Sequence, residues 1–364
     1  MTNKRVLVLL LAALAVLSIV PVLSVSAQDS LIDNLCLVTD KGKINDATFN
    51  QFAHEGAQKA ADEFGLKYTY IETVSETDYA PNIDTCVKEG YKAIVTVGFL
   101  IADATKAAAE ANPDVFFMGV DQSIDPAPAN WAGLVFREDQ SGFLAGALAA
   151  QMTDSDTIGG VYGIDIPPVK KFRNGFEQGA KFINPDIKLL GTYIPSFVDP
   201  AAGGAAAAQF LGEGADVIFG AGGPTGSGGI VEAAKRGAYV IGVDQDEYTT
   251  TFGNGASEGA DKIISSAVKR VDQAVYLAVQ ALVEGGADFP GGGYLVMSAE
   301  NDGVGFAPAH DSDVPEEVTA EMENILAGLK DGTICTYVDP TSGDLKEMPA
   351  MDANSPEMTP EPGC

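Results

Sequence analysis

From residue 35 onward, short apolar runs rich in Val and Ile alternate with longer stretches whose apolar residues recur every three to four positions. The short runs predict buried strands and the longer stretches predict amphipathic helices. Their regular alternation predicts parallel sheets covered by helices, an α/β architecture. In the first part of the chain the pattern places strands at 35–39, 68–72, 93–97 and 115–120. Helices fall at 49–64, 82–89 and 102–111, the first of them stopping at Gly65.

The plan then repeats. Residues 90–121 read GYKAIVTVGFLIADATKAAAEANPDVFFMGVD and residues 214–244 read GADVIFGAGGPTGSGGIVEAAKRGAYVIGVD. Each runs strand, glycine-bearing turn, helix, strand, and each leads into Gly-Val-Asp-Gln, at 119–122 and 242–245. A repeat this long is no solenoid period and predicts two similar doubly wound lobes with a cleft between them. In open α/β sheets ligands lie at the carboxyl ends of strands, and Asp40, Asp121 and Asp244 each sit just past a predicted strand. A lone aspartate there is commonly a turn or cap residue, but its recurrence in both lobes points to ligand contact.

Upstream of this region, Lys4 and Arg5 precede an apolar run at 6–20 and a small-residue triplet, Val-Ser-Ala, at 25–27. This is the pattern of a cleaved export signal covering 1–27, which places the mature chain outside the cytoplasm. Removing it takes away two basic residues and no acids, so 22 basic against 51 acidic residues becomes 20 against 51, a charge of −31. Such a surface repels phosphate backbones and excludes nucleic acid as a partner. The remaining 337 residues suit two domains. Cys36, Cys86, Cys335 and Cys364 are an even set compatible with two disulfides in an oxidising compartment. Three pairings are open, and locality favours Cys36 with Cys86 and Cys335 with Cys364.

Sharper chemistry finds little support. The glycine-rich loop at 222–229 follows a strand and precedes a helix, yet it lacks the Gly-Lys-Ser/Thr of a phosphate-binding loop and reads as a close-approach turn. With only His54 and His310 available, neither a metal cage nor a catalytic triad is easily assembled, so neither a cofactor nor a metal is expected.

The stretch DKGKINDATFN at 40–50 resembles the opening signature of the basic membrane protein (BMP) family, solute receptors related to the purine nucleoside receptors of ABC importers. FREDQSGFLAG at 136–146, AGGPTG at 221–226, GVDQD at 242–246 and SSAVKRVD at 265–272 extend the resemblance over about 33–310. It implies a periplasmic-binding-protein type I fold, two parallel-sheet lobes joined by three hinge crossings. Lobe 1 would comprise 33–137 plus about 262–298, and lobe 2 would comprise 138–261 plus about 299–338. An acidic, Pro-rich tail at 339–364 would lie outside the fold. The expected hinges are 135–140, 246–265 and 298–305.

The resemblance further implies that Phe49 stacks on a purine base with Asp40 and Asn50 as polar neighbours. Asp121 matches the family's strand-end aspartate, and Asp244 with Lys269 would hold ribose hydroxyls. Position along the strand suggests Phe219 as the second stacking face, beside Gly222. The implied protein is a non-catalytic, monomeric receptor that delivers a nucleoside to an ABC permease. Many relatives carry a lipid-bearing cysteine at the cleavage site, whereas here Gln28 follows Ala27 and the first cysteine is Cys36. Two other readings remain: the same receptor with a base or sugar as cargo, or a nucleoside hydrolase using Asp40 or Asp121 as base, for which no activated nucleophile or metal cluster is evident.

Overall fold

The computed structural model describes residues 30–347. The expected export signal and residues 348–364 lie outside the described residues. The first lobe is built from β1 (Asn34–Lys41), α1 (Phe49–Phe64), β2 (Lys67–Thr73), α2 (Tyr79–Lys88), β3 (Ala93–Val97), α3 (Ala102–Ala111), β4 (Phe116–Val120) and β5 (Trp131–Phe136). The chain then enters the second lobe through α4 (Glu138–Met152), β6 (Thr157–Tyr162), α5 (Pro167–Ile183), β7 (Lys188–Tyr193), α6 (Pro200–Gly212), β8 (Val217–Ala221), α7 (Gly223–Lys235), β9 (Tyr239–Asp244) and β10 (Ile263–Lys269). It returns to the first lobe for α8 (Val271–Val283) and β11 (Gly293–Met297), and ends in the second with β12 (Val304–Phe306) and α9 (Glu316–Asp331). Each lobe holds a six-stranded sheet, ordered β11-β5-β4-β3-β1-β2 and β12-β10-β9-β8-β6-β7. Pairing is parallel apart from β12, which runs antiparallel to β10. Both central strands β3 and β8 are buried along their whole length, as apolar strands covered on both faces must be.

Cys36 on β1 and Cys86 on α2 form a disulfide, joining strand to covering helix. Cys335 is also disulfide-bonded; its expected partner Cys364 lies outside the described residues.

Three expectations about the chain's path need correction. β10 belongs to the second lobe, because it pairs with β9 and β12, so the second crossing lies at 269–271 and not near 262. The stretch 246–265, expected as a hinge, stays on the second lobe, where Glu247 N–H donates to Ser266 Oγ (3.1 Å) and Tyr248 Oη to Asp311 Oδ2 (2.5 Å). Residues 339–347 are also not a detached tail. They form a small hairpin, with a Val338–Leu345 bridge, that docks on α5 through Asn174.

The first two crossings share one construction. Arg137 grips Asp139 with Nε and Nη2, both at 2.8 Å, and Arg270 grips Asp272 at 2.8 and 2.9 Å. The third crossing is tied to both, since the Arg137 N–H donates to Met297 O and the Arg270 N–H to Gly303 O, each 2.9 Å.

Helices α4 and α5 pack backbone against backbone. A Cβ at Gly142 or Gly146 would strike the carbonyls of Phe172 or Phe176, and one at Gly175 or Gly179 those of Asp139 or Phe143. Because α5 carries part of the cleft wall, this contact sets the wall's position. Gly146→Ala should therefore cost about 3 kcal/mol, the upper end of overpacking penalties, measured by urea unfolding of the purified chain.

Candidate functional site

The carboxyl ends of both sheets face a cavity between the lobes. From the first lobe it is lined by Asp40 at the end of β1, by Phe49 and Asn50 opening α1, by Gly98 and Phe99 after β3, and by Asp121 after β4. The second lobe contributes Pro168, Val169 and Phe172 from α5, Phe197 from the loop after β7, Gly222 after β8, Asp244 ending β9 and Lys269 ending β10. Helix α1 is capped from outside, its first amides and the Asn50 side chain donating to Asp46 at 3.0–3.1 Å. That cap fixes the Asn50 amide and leaves its Oδ1 buried without a partner.

One end of the cavity is an ion network that spans the lobes. Lys269 Nζ donates to Asp121 Oδ2 (2.6 Å) and lies 2.9 Å from Glu138 Oε1, and Glu138 is in turn paired with Lys171 (2.5 Å). Lys171 Nζ also donates to Phe136 O (2.8 Å). Burial pulls the Lys269 ammonium down, but Asp121, Glu138 and Asp244 more than offset it and hold the group above lysine's usual range. The same burial pushes Asp121 up to about 6 and Asp244 up to about 8, in both cases against the pull of Lys269. Asp121 lines the cavity, and its Oδ1 is buried and unpartnered. Both aspartates sit at positive φ, 60° and 63°, a conformation that Asp tolerates better than most residues.

The other end is simpler. Asp40 Oδ1 accepts from the Lys41 N–H (2.5 Å) and from the Tyr79 hydroxyl, and burial raises its carboxyl despite these bonds. Its Oδ2 lies against Gly98, where a Cβ would overlap it. Gly222 (φ 146°) is equally confined, because a Cβ there would strike the backbone of Gly163. Between the two ends stand the aromatic rings, with Lys269 Nζ 4.9 Å from the Phe49 centroid and 5.8 Å from that of Phe172. At the lips the lobes touch directly: Gln245 Nε2 donates to Thr48 O (2.8 Å) and Thr250 Oγ1 to Ala47 O (2.9 Å).

Asp40, Phe49, Asn50, Asp121, Gly222, Asp244 and Lys269 thus line one cavity as a set. Phe219 does not. It lies on β8 with no exposed surface, its ring stacked 5.0 Å from Phe176, because alternation along the strand turns it into the core beneath α4 and α5. The second lobe's aromatic wall is instead Phe172 and Phe197. Phe197 stands a few residues past the end of β7, a strand that the sequence pattern does not single out. Phe172 carries no readable signal either, since on a helix an aromatic reads first as core.

Residues 34–330 match the family model described as ABC transporter substrate-binding protein, PnrA-like. The chain belongs to that family. It is 34% identical over 307 residues to the ABC transporter nucleoside-binding protein BmpA of Lactococcus lactis, covering 81% of this chain and 85% of that protein. Basic membrane protein A of Borreliella burgdorferi is 32% identical over 90% of this chain and 92% of its own length. Among solved structures, an ABC transporter solute-binding protein of Aeropyrum pernix superposes with a TM-score of 0.72 at 26% identity, over 82% of this chain and 91% of that one. This substrate-binding protein therefore has the type I periplasmic-binding fold and is a receptor, not an enzyme.

Two outcomes follow from the buried charges. The ligand-free receptor should gain stability as pH falls from 8 towards 5, because Asp121, Asp244 and Glu247, the last raised to about 7, hold protons in the folded state that the unfolded chain has already released. Melting curves across that range should show Asp244→Asn with a flatter dependence. Lys269→Met should cost about 3–5 kcal/mol in denaturant unfolding, since it strands Asp121 and Glu138 without their shared cation.

Proposed function

We propose that this receptor binds a purine nucleoside between its lobes, outside the cytoplasm and as a monomer, and hands it to an ABC permease. The reading is carried by the combination of a stacking slot with unpartnered acceptors at both ends, at Asn50 Oδ1 and Asp121 Oδ1. A nucleoside is a flat ring bearing donors at one end and a hydroxyl-rich sugar at the other. Phe49 with Phe172 or Phe197 would enclose the base, each stacked face contributing about 1–3 kcal/mol. Asp40 and Asn50 would meet the base edge, and Asp121, Asp244 and Lys269 the ribose hydroxyls, through charge-assisted bonds. The lining holds four aspartates, two lysines and no arginine, which disfavours a phosphate on the sugar. The nucleoside named for the Lactococcus lactis relative agrees with this cargo.

Closure around the ligand follows from differential contact: a solute touching both lobes stabilises the closed form over the open one. The test is thermal unfolding of refolded, ligand-stripped protein against nucleosides, nucleoside 5′-monophosphates, bases and sugars. A purine nucleoside at a hundred times its Kd should add about 2.7 kcal/mol, and the monophosphate should not. Phe49→Ala and Asp244→Ala should abolish the shift. A response to a sugar or free base alone would retain the receptor and replace the cargo.

A further inference from the structure

The two Arg-Asp clamps at the first and second crossings are built alike but covered differently. Arg270 and Asp272 are 39% and 21% exposed, whereas Arg137 is 15% exposed and Asp139 wholly buried. The cover is the segment 333–347, beyond the residues matched by the family model. Its Thr336, itself buried, donates from Oγ1 to Asp139 Oδ2 at 2.5 Å. Further along, Gly343 O accepts from Asn174 Nδ2 of α5 (2.6 Å), and Asp344 pairs with Lys170. Gly343 is set so closely on the first turn of α5 that a Cβ would touch Lys170, the Lys171 amide and Pro167 O. That turn carries Pro168 and Val169 into the cavity, with Phe172 one turn on, while Lys171 braces Glu138 in the ion network.

We propose that this C-terminal hairpin is a positioning element for the cleft, with Thr336 and Asn174 as its positioning residues. It ties the clamp at the first crossing to the start of α5 and so fixes the second lobe's aromatic wall against the ligand. Among the described residues the second crossing has no such brace, so disturbing the hairpin should loosen one hinge and not the other.

Hydrogen exchange on the full chain without ligand reads this directly. Thr336→Val should accelerate exchange at 138–142 and 167–172 about tenfold, the loss of one hydrogen bond to a buried carboxylate, while 271–276 stays unchanged. Asn174→Ala should do the same at 167–172, and Thr336→Ser should restore wild-type rates. Inosine affinity should fall about tenfold in Thr336→Val. This last arm rests on the cargo proposed above, whereas the exchange arm does not: no binding of inosine, adenosine or guanosine by the wild type would sink that cargo and leave the brace to be judged by exchange alone. Unchanged exchange beside the first clamp, or equal acceleration at both clamps, would overturn the proposal.

Discussion

A buried ammonium group sets the geometry of the cleft. Lys269 ends β10 with almost no exposed side chain, a place where a lone charge is prohibitive. It is tolerated because Asp121 reaches it from the first lobe and Glu138 from the first crossing, with Lys171 extending the row. Separating the lobes would part Lys269 from Asp121 but return both to water, so attraction lost and solvation regained nearly cancel. In the closure proposed above, such a near balance would leave the decision between open and closed forms to the ligand's own contacts.

Much of this was readable from the chain. The alternation of apolar runs and helical stretches, and the repeated Gly-Val-Asp-Gln, prescribed two parallel-sheet lobes and brought Asp121 and Asp244 to equivalent strand ends. What escaped were properties of pairing and facing. An apolar run such as Ile263–Lys269 says that it is a strand, not which sheet takes it, and only its register with β9 and β12 decides. Phe219 satisfied every positional rule, but a one-residue phase along β8 separates cavity from core. The stretch 339–347 carries no periodicity to mark it as folded, because a docked hairpin is held by side-chain bonds and turn geometry that periodicity does not report.

The repeated motif also shows how equivalent sequence acquires unequal work. Gln122 turns inward, its amide donating to Thr96 O, Thr96 Oγ1 and Gly98 O, and so rigidifies the first lobe's own loops. Gln245, its counterpart, spends the same amide across the cleft on Thr48. The first lobe therefore offers a firm platform, and the second supplies the donors of the latch.

That latch has a kinetic meaning. A solute behind the Gln245–Thr48 and Thr250–Ala47 bonds cannot leave until both give way, so its residence time follows the rate at which the protein opens and not the thermal escape of the solute from a static pocket. The latch is thus a timer as well as a trap: the two lip bonds set how long a bound solute is retained, and whatever breaks them sets when it is released.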